Sequence, residues 1–156
     1  QVGPAAVADV ICFEVAYDDV VRNAIRAGGQ VLAVQTNNAT FGFTPETEQQ
    51  LVMARLRAVE HGRTVVVSST SGVSAVIDAD GSVRTRAEIF TAETFVERIQ
   101  LSDRSTLATR IGAWPEAVMT AAAIAGLVLG VRASTRRRDE PPTHVAGTDV
   151  TTKETV

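Results

Sequence analysis

The chain is poor in the residues that build disulfides and metal sites. Its 156 residues include one cysteine, Cys12, and two histidines, His61 and His144. A single cysteine excludes an internal disulfide and any cysteine-based zinc site, and two histidines so far apart do not indicate a metal cluster. We therefore expect neither a metal nor a cofactor.

An excess of charge of one sign is also missing. The 15 Lys and Arg residues against 18 Asp and Glu residues leave a net charge of −3, which gives no electrostatic reason to expect nucleic acid as a partner. An initiator methionine is absent, and the first apolar strand begins within a few residues of Gln1. Because a fully apolar strand needs neighbours on both sides, we expect the C-terminal part of a longer protein.

Hydrophobic residues are plentiful, at 45% of the chain, and the lone cysteine lies among them. It lies in the segment Val7–Glu14, where a buried strand is predicted to break into an acidic turn. A thiol at a strand end is held rigidly while its sulfur faces a loop, which favours a nucleophile. The position alone leaves open that Cys12 is a small buried apolar residue, as most free cysteines are.

The residues after Cys12 have the pattern of a βαβ unit. Asp18–Arg26 is predicted to be a short helix ended by two glycines, and Val31–Gln35 to be a second strand parallel to the first. The following loop leaves the second strand on the same side as Cys12, where ligands collect in open α/β sheets. Phe41 and Phe43 in this loop are either a lid over a pocket or packing against the next helix.

The clearest helix is predicted at Thr44–Gly62, with Thr44 as its cap and Pro45 in its first position. Its charged residues, Arg57 and Glu60 among them, are expected on a solvated face. A hairpin turn is predicted at Asp80-Gly81. Strands are predicted at Thr64–Ser69, Val73–Asp78, Ser82–Arg86 and Phe95–Leu101. The fold class is therefore α/β, with helices packed outside sheets.

Ile111–Val131 is predicted to be a transmembrane helix. Its last 15 residues carry no charge and reach about 22 Å, so that the span must extend back to Ile111 to approach the roughly 30 Å hydrocarbon core. The alternative is a buried helix. Arg132 and the arginines at 136–138 favour the membrane, and positive-inside bias puts residues 132–156 in the cytoplasm and residues 1–110 outside it. Asp139–Val156 is predicted to be disordered.

Four segments together resemble the nitrilase-like domain of bacterial apolipoprotein N-acyltransferases, which belong to the carbon-nitrogen hydrolase superfamily. They are Ile11–Glu14, Asn37–Gly42, Met53–Glu60 and Ser69–Ile77, in the family's order and spacing. A Gly-Ala-Trp-Pro sequence before the closing helix matches the family as well. The similarity covers roughly Val7–Arg138 and looks actinobacterial. It implies a partial nitrilase-like αββα sandwich in residues 1–110, one transmembrane helix at 111–131 and a cytoplasmic tail.

The resemblance implies acyl transfer by a ping-pong mechanism. Cys12 would attack a phospholipid acyl ester to form a thioester, and the amine of a diacylglyceryl apolipoprotein would then take the acyl chain as an amide. The backbone N–H of Phe13 would contact the oxyanion, and Glu14 would support the site. The residues that would contact substrate are Asn38, Thr40 and Phe41.

The chain departs from the family in several ways. The family's general-base Glu and its Lys lie upstream of the cysteine, and neither Glu60 nor Lys153 replaces them. Phe13 stands where many relatives have Tyr, and Thr40 where some have Trp. Two alternatives therefore remain: a nitrilase-type amidase, which needs no membrane span, and an inactive truncated product without the Glu and Lys of the triad. The isolated chain is expected to be inactive and poorly stable.

Overall fold

The computed structural model describes residues 3–138. The strands are β1 (Val7–Ile11), β2 (Val31–Thr36), β3 (Val65–Ser69), β4 (Ala75–Ile77) and β5 (Val83–Arg86). The helices are α1 (Asp18–Arg26), α2 (Glu46–His61), α3 (Leu107–Ile111) and α4 (Trp114–Arg138), and a 3-10 turn occupies Cys12–Ala16. The chain divides into one compact unit that ends at Gly112 and a second that begins at Ala113.

The first unit is built on a single mixed sheet in the order β1-β2-β3-β4-β5. β1 pairs with β2 and β2 with β3 in parallel, with Val10 opposite Val34 and Val34 opposite Val67. β4 and β5 are added antiparallel through the hairpin, whose turn closes by the Gly81 N–H donating to the Asp78 carbonyl at 2.8 Å. The α/β class and the parallel βαβ unit are thus confirmed.

The core lies on the face of the sheet that α1 and α2 cover. Alternate strand residues point into it, because successive side chains of a strand face opposite sides. The core includes Ala8, Val10, Leu32, Val34, Val65, Val67, Ala75 and Ile77 from the strands, with Val21, Ile25, Leu51, Ala54 and Ala58 from the helices. On the other face Gln35 donates to Asp9 across β1 and β2 at 2.9 Å, and both residues are exposed.

Helix α2 begins at Glu46, one residue later than predicted. The Thr44 hydroxyl does not cap it; instead it donates to the Phe41 carbonyl at 2.6 Å, and Pro45 takes the cap position. With Pro45 in the cap position, no side-chain oxygen of the cap residue accepts from the first turn of the helix. The helix ends before Gly62, as predicted.

The strand predicted at Phe95–Leu101 is not present; the segment has no regular secondary structure. Side-chain donors take two of its carbonyls: Arg84 donates to the Arg98 carbonyl at 2.8 Å and Thr64 to the Gln100 carbonyl at 3.3 Å. A ladder needs neighbouring backbone N–H groups for those acceptors. The apolar spacing of the segment therefore does not mark a strand, and Val96 and Leu101 remain exposed.

The predicted start of the membrane helix at Ile111 is also wrong. Ile111 ends the short helix α3, and Gly112 follows with φ +59°, a backbone conformation that glycine adopts without steric cost. The long helix starts at Trp114 instead, and Trp114–Arg132 is a 19-residue stretch long and apolar enough to cross a membrane. The tail predicted to be disordered, with His144 and Lys153, lies outside the described residues.

Candidate active site

Cys12 stands where β1 turns sharply into the 3-10 turn. Its φ of +53° lies in the left-handed region, which costs a residue with a side chain about 1–2 kcal/mol. Such outliers persist where the surrounding structure enforces them, and they cluster at functional sites. The Gln50 side chain of α2 contacts the sulfur, so the thiol lies on the side of the sheet that the helices cover.

Two groups next to Cys12 belong to the same turn. The Glu14 carboxylate accepts from the backbone N–H of Ile11 at 2.7 Å, so that it bridges the residue before Cys12 and the turn after it. The backbone N–H of Phe13 faces the sulfur. The Phe13 ring is about half exposed and packs edge to face on Tyr17, with centroids 6.1 Å apart.

The thiol is surrounded by neutral hydrogen-bond donors from β2 and α2. The Thr36 hydroxyl lowers the pKa of Cys12 most, partial burial raises it, and the Gln50 amide and the backbone N–H groups of Asn37 and Phe13 lower it further. The Gln50 amide lies 3.9 Å from the sulfur. The net pKa of Cys12 is below its ordinary value, because these donors stabilise the thiolate.

A buried polar cluster holds these donors in place. The Thr36 hydroxyl lies 2.6 Å from the Asn38 side-chain oxygen and 3.2 Å from that of Gln50. The hydroxyl has one hydrogen, which turns to the sulfur when Cys12 ionises, because a thiolate is the stronger acceptor. Gly72 closes the cluster: a Cβ there would lie 2.8 Å from the Asn38 amide nitrogen.

The residues predicted to contact substrate differ in how deeply the structure buries them. Asn38 is 2% exposed and accepts from Thr36, so its side chain belongs to the cluster beneath the thiol. Thr40 is exposed and Phe41 half-buried in the loop after β2. Thr36 and Gln50 were missed by sequence reasoning. Gln50 did carry a signal, since it lies four residues before Ala54 on the buried face of α2.

Arg57 corrects the prediction of a solvated charged face on α2. It is 5% exposed, and its guanidinium donates to the carbonyls of Val15 and Ala16 at 2.8 and 2.9 Å. It also pairs with Asp18 and Glu60. Because a guanidinium offers five donors in a fixed fork, one side chain ties α2 to the turn that Cys12 begins.

His61 lies fully buried behind this network, and its Nδ1 is 2.8 Å from the Thr109 hydroxyl of α3. Burial lowers its pKa most; Glu60 acts to raise it, while Arg57, Arg22 and Arg63 lower it further. The ring is therefore held neutral at physiological pH. Its place is structural, since it joins the end of α2 to α3.

We expect Thr36→Val to make the Cys12 thiol less reactive at neutral pH. The change keeps the shape of the side chain and removes the hydroxyl that lowers the thiol pKa most, so a smaller fraction of the thiol is ionised. The rate of alkylation by iodoacetamide, measured against pH in detergent, should rise at higher pH than in the wild type. Thr40→Val, an exposed threonine in the next loop, is the control. Superimposable profiles for Thr36→Val and wild type would show that the hydroxyl does not stabilise the thiolate.

A strained cysteine with a lowered pKa, at the carboxyl end of a parallel strand, defines an α/β protein built around a candidate cysteine nucleophile. Residues 1–109 match the sequence profile of the carbon-nitrogen hydrolase family, and the chain belongs to that family.

Curated relatives show which proteins of this family the chain resembles. The chain is 42% identical over 120 residues to the apolipoprotein N-acyltransferase of the actinobacterium Mycolicibacterium smegmatis, a match that covers 77% of this chain and 20% of that protein. It is 35% identical over 131 residues to the apolipoprotein N-acyltransferase of Gloeobacter violaceus, covering 84% of this chain and 25% of that protein. These matches confirm the resemblance, and the chain spans about a fifth to a quarter of the length of these relatives.

Among solved structures, a variant of the amidase from Nesterenkonia sp. AN1 is similar with a TM-score of 0.49 and 22% identity. The similarity covers 57% of this chain and 37% of that chain.

Proposed function

We propose that this chain serves apolipoprotein N-acyl transfer, with Cys12 as the residue that carries the acyl group. The observation that supports it most is the site itself: a strained cysteine with a lowered pKa, ringed by neutral donors. A thiolate is a strong nucleophile, and the thioester that it forms stays reactive enough for an amine to open it.

In the first half-reaction the Cys12 thiolate attacks the carbonyl carbon of a phospholipid acyl ester. The new C–S bond forms, the ester C–O bond breaks, and a lysophospholipid leaves after its oxygen takes a proton. We assign to the backbone N–H of Phe13, which faces the sulfur, the role of donating to the developing oxyanion.

In the second half-reaction the α-amine of a diacylglyceryl apolipoprotein attacks the thioester. The amide C–N bond forms, the C–S bond breaks, and the thiolate returns while the amine loses a proton. The donors given by Thr36, Gln50 and the backbone favour the thiolate but are poor proton acceptors. We assign the proton transfer to the general-base Glu and the Lys that the family carries upstream of its cysteine.

Helix α4 supports a membrane location for this chemistry. The side chains of Trp114–Arg132 are exposed, large apolar ones such as Leu127 and Leu129 among them. Nineteen helical residues extend about 28 Å, close to the thickness of the hydrocarbon core. The predicted span, residues 111–131, starts three residues before this stretch and ends one residue before its end. Such a helix would anchor the chain in the membrane that holds the acyl donor.

We expect the residues before the span to lie outside the cytoplasm and those after it inside. The arginines that follow the span set this orientation, because positive charge close to a membrane end favours the cytoplasmic side. Single cysteines at Ser105 and Thr148 in a Cys12→Ser background should label oppositely with a membrane-impermeant maleimide: the first in intact cells, the second only after lysis. Equal labelling of both positions in intact cells would rule this orientation out and favour the amidase alternative.

The function is tested by placing the chain in a related enzyme. We would replace the matching segment of the Mycolicibacterium smegmatis enzyme by this chain in a strain that lacks its own copy. Mass spectrometry of a reporter lipoprotein should then show the N-terminal cysteine with an amide-linked acyl chain. A chimera that is made and inserted but leaves the amine free, while hydrolysing small amides, would replace the proposal by the amidase alternative.

A further inference from the structure

Two phenylalanines on different loops form an exposed pair at the sheet end that carries Cys12. The rings of Phe43 and Phe90 lie 5.2 Å apart between centroids, tilted by 46°. Yet packing on each other covers little of them: Phe43 remains 83% exposed and Phe90 49% exposed. Aromatic rings gain most by burial, so a pair left open beside a candidate site indicates a surface for an apolar ligand.

Both rings are held out by an ordered backbone. Phe90 has φ +56°, a conformation that is costly for a residue with a side chain, and the preceding Ile89 packs against the core. Gly42 has φ +56°, and Phe43 is framed by loop hydrogen bonds from Gly42 to the Asn38 carbonyl and from Thr44 to the Phe41 carbonyl. The fold therefore accepts strain at Phe90 in order to present its ring.

Hydrogen bonds connect this pair to the nucleophile. The Phe90 N–H donates to the Ser71 carbonyl at 3.0 Å, and the Ser71 hydroxyl donates to the Asn37 side-chain oxygen at 2.9 Å. The backbone N–H of Asn37 in turn faces the Cys12 sulfur. The loop that ends in Phe90 is thus built onto the same residues that surround the thiol.

We propose that Phe43 and Phe90 form a subsite for the distal part of a long acyl chain whose carbonyl Cys12 attacks. The inference rests on the proposed function, which puts an acyl carbonyl at the sulfur. It adds the residues that give the site its preference for long acyl chains. A hydrocarbon chain has no polar group that needs a hydrogen-bond partner. The two open ring faces offer it an apolar surface that needs none either. The other exposed aromatic pair, Phe13 and Tyr17, comes from the turn after Cys12 and is not assigned this role.

The first test compares acyl donors of different length in the chimera. The rate of thioester formation at Cys12 is measured with dipalmitoyl and dihexanoyl phosphatidylglycerol, and the ratio of the two rates is the readout. Phe43→Ala or Phe90→Gly should lower this ratio by about tenfold or more, which corresponds to a few methylene groups of lost burial. Leu56→Ala, an equally apolar and exposed change on α2, should leave the ratio unchanged.

Phe90→Gly also separates binding from stability. Glycine adopts positive φ freely, so the variant should melt no lower than the wild type while its preference for the long chain falls. A lower melting temperature with an unchanged rate ratio would mean that the ring serves only packing, and it would overturn the proposal.

A binding measurement decides the case in which the chimera forms no thioester with either donor and the proposed function fails. The whole chain with Cys12→Ser, labelled with fluorophenylalanine, is placed in nanodiscs that contain phosphatidylcholine with a nitroxide near the chain end. Stronger paramagnetic broadening of the Phe43 and Phe90 signals than of the Phe95 signal supports the subsite. Broadening no greater than that of Phe95 overturns it, whatever the chimera does.

Discussion

Cys12→Ser should abolish acyl transfer by the chimera, with a loss of about 10³-fold or more, as expected when a covalent nucleophile is removed. A hydroxyl is far harder to ionise than a thiol at neutral pH, and the donors from Thr36 and Gln50 cannot make up that difference. The fold should survive, because the change removes little volume at a partly exposed position. The measurement is the fraction of reporter lipoprotein with an amide-linked acyl chain.

Two controls give this result its meaning. Membrane fractionation should recover the Cys12→Ser protein in the same amount and place as the wild type. Incubation of the wild type with a phospholipid donor alone should leave an acyl adduct on Cys12 that hydroxylamine removes, since hydroxylamine cleaves thioesters. N-acylation near the wild-type level in Cys12→Ser would show that the acyl group passes elsewhere.

Arg57→Met should destabilise the first unit by about 3–5 kcal/mol, the usual cost of removing one partner of a buried ion pair. The substitution roughly keeps the length of the side chain but leaves the Val15 and Ala16 carbonyls without their donor and Glu60 without its strongest partner. Because those carbonyls belong to the turn that Cys12 begins, alkylation of the thiol should also change. Denaturant unfolding in detergent measures the first effect and iodoacetamide the second.

Arg55→Met is the matched control on the same helix. Arg55 is exposed and donates to the Gly81 carbonyl at 2.8 Å, so its removal should cost about 1 kcal/mol or less. A loss for Arg57→Met no larger than that for Arg55→Met would mean that water replaces the guanidinium, and that Arg57 does not hold the turn.

Local patterns predicted most of the fold because they arise from short-range effects. The βαβ unit, the hairpin at Asp80-Gly81 and the end of α2 before Gly62 follow from apolar periodicity and turn residues a few positions apart. The segment at Phe95–Leu101 has similar apolar spacing but no strand. Whether a strand forms there depends on the N–H groups of a distant partner, and side chains of Thr64 and Arg84 take that place.

The break between α3 and α4 shows the same limit. Apolar composition predicted a continuous span from Ile111, whereas Thr106 caps α3 and Arg26 donates to the carbonyls of Thr109 and Arg110 at its end. Arg26 lies more than eighty positions away from these carbonyls in the sequence. These contacts anchor α3 to the first unit and leave Gly112 to end it.

The sequence by itself determined the α/β class, the family and the candidate nucleophile, because strand periodicity, motif order and a lone cysteine at a strand end are all written along the chain. Only the tertiary structure decided what surrounds that cysteine. Thr36 and Gln50 reach the sulfur because β2 lies beside β1 and α2 packs against β3 and against the turn that Cys12 begins. Arg57 is buried because the carbonyls of that turn accept from its guanidinium. A charged or polar residue is expected to be exposed unless a partner distant in sequence, such as a backbone carbonyl or a thiol, allows it to be buried. Whether such a partner is near depends on how whole helices and strands pack.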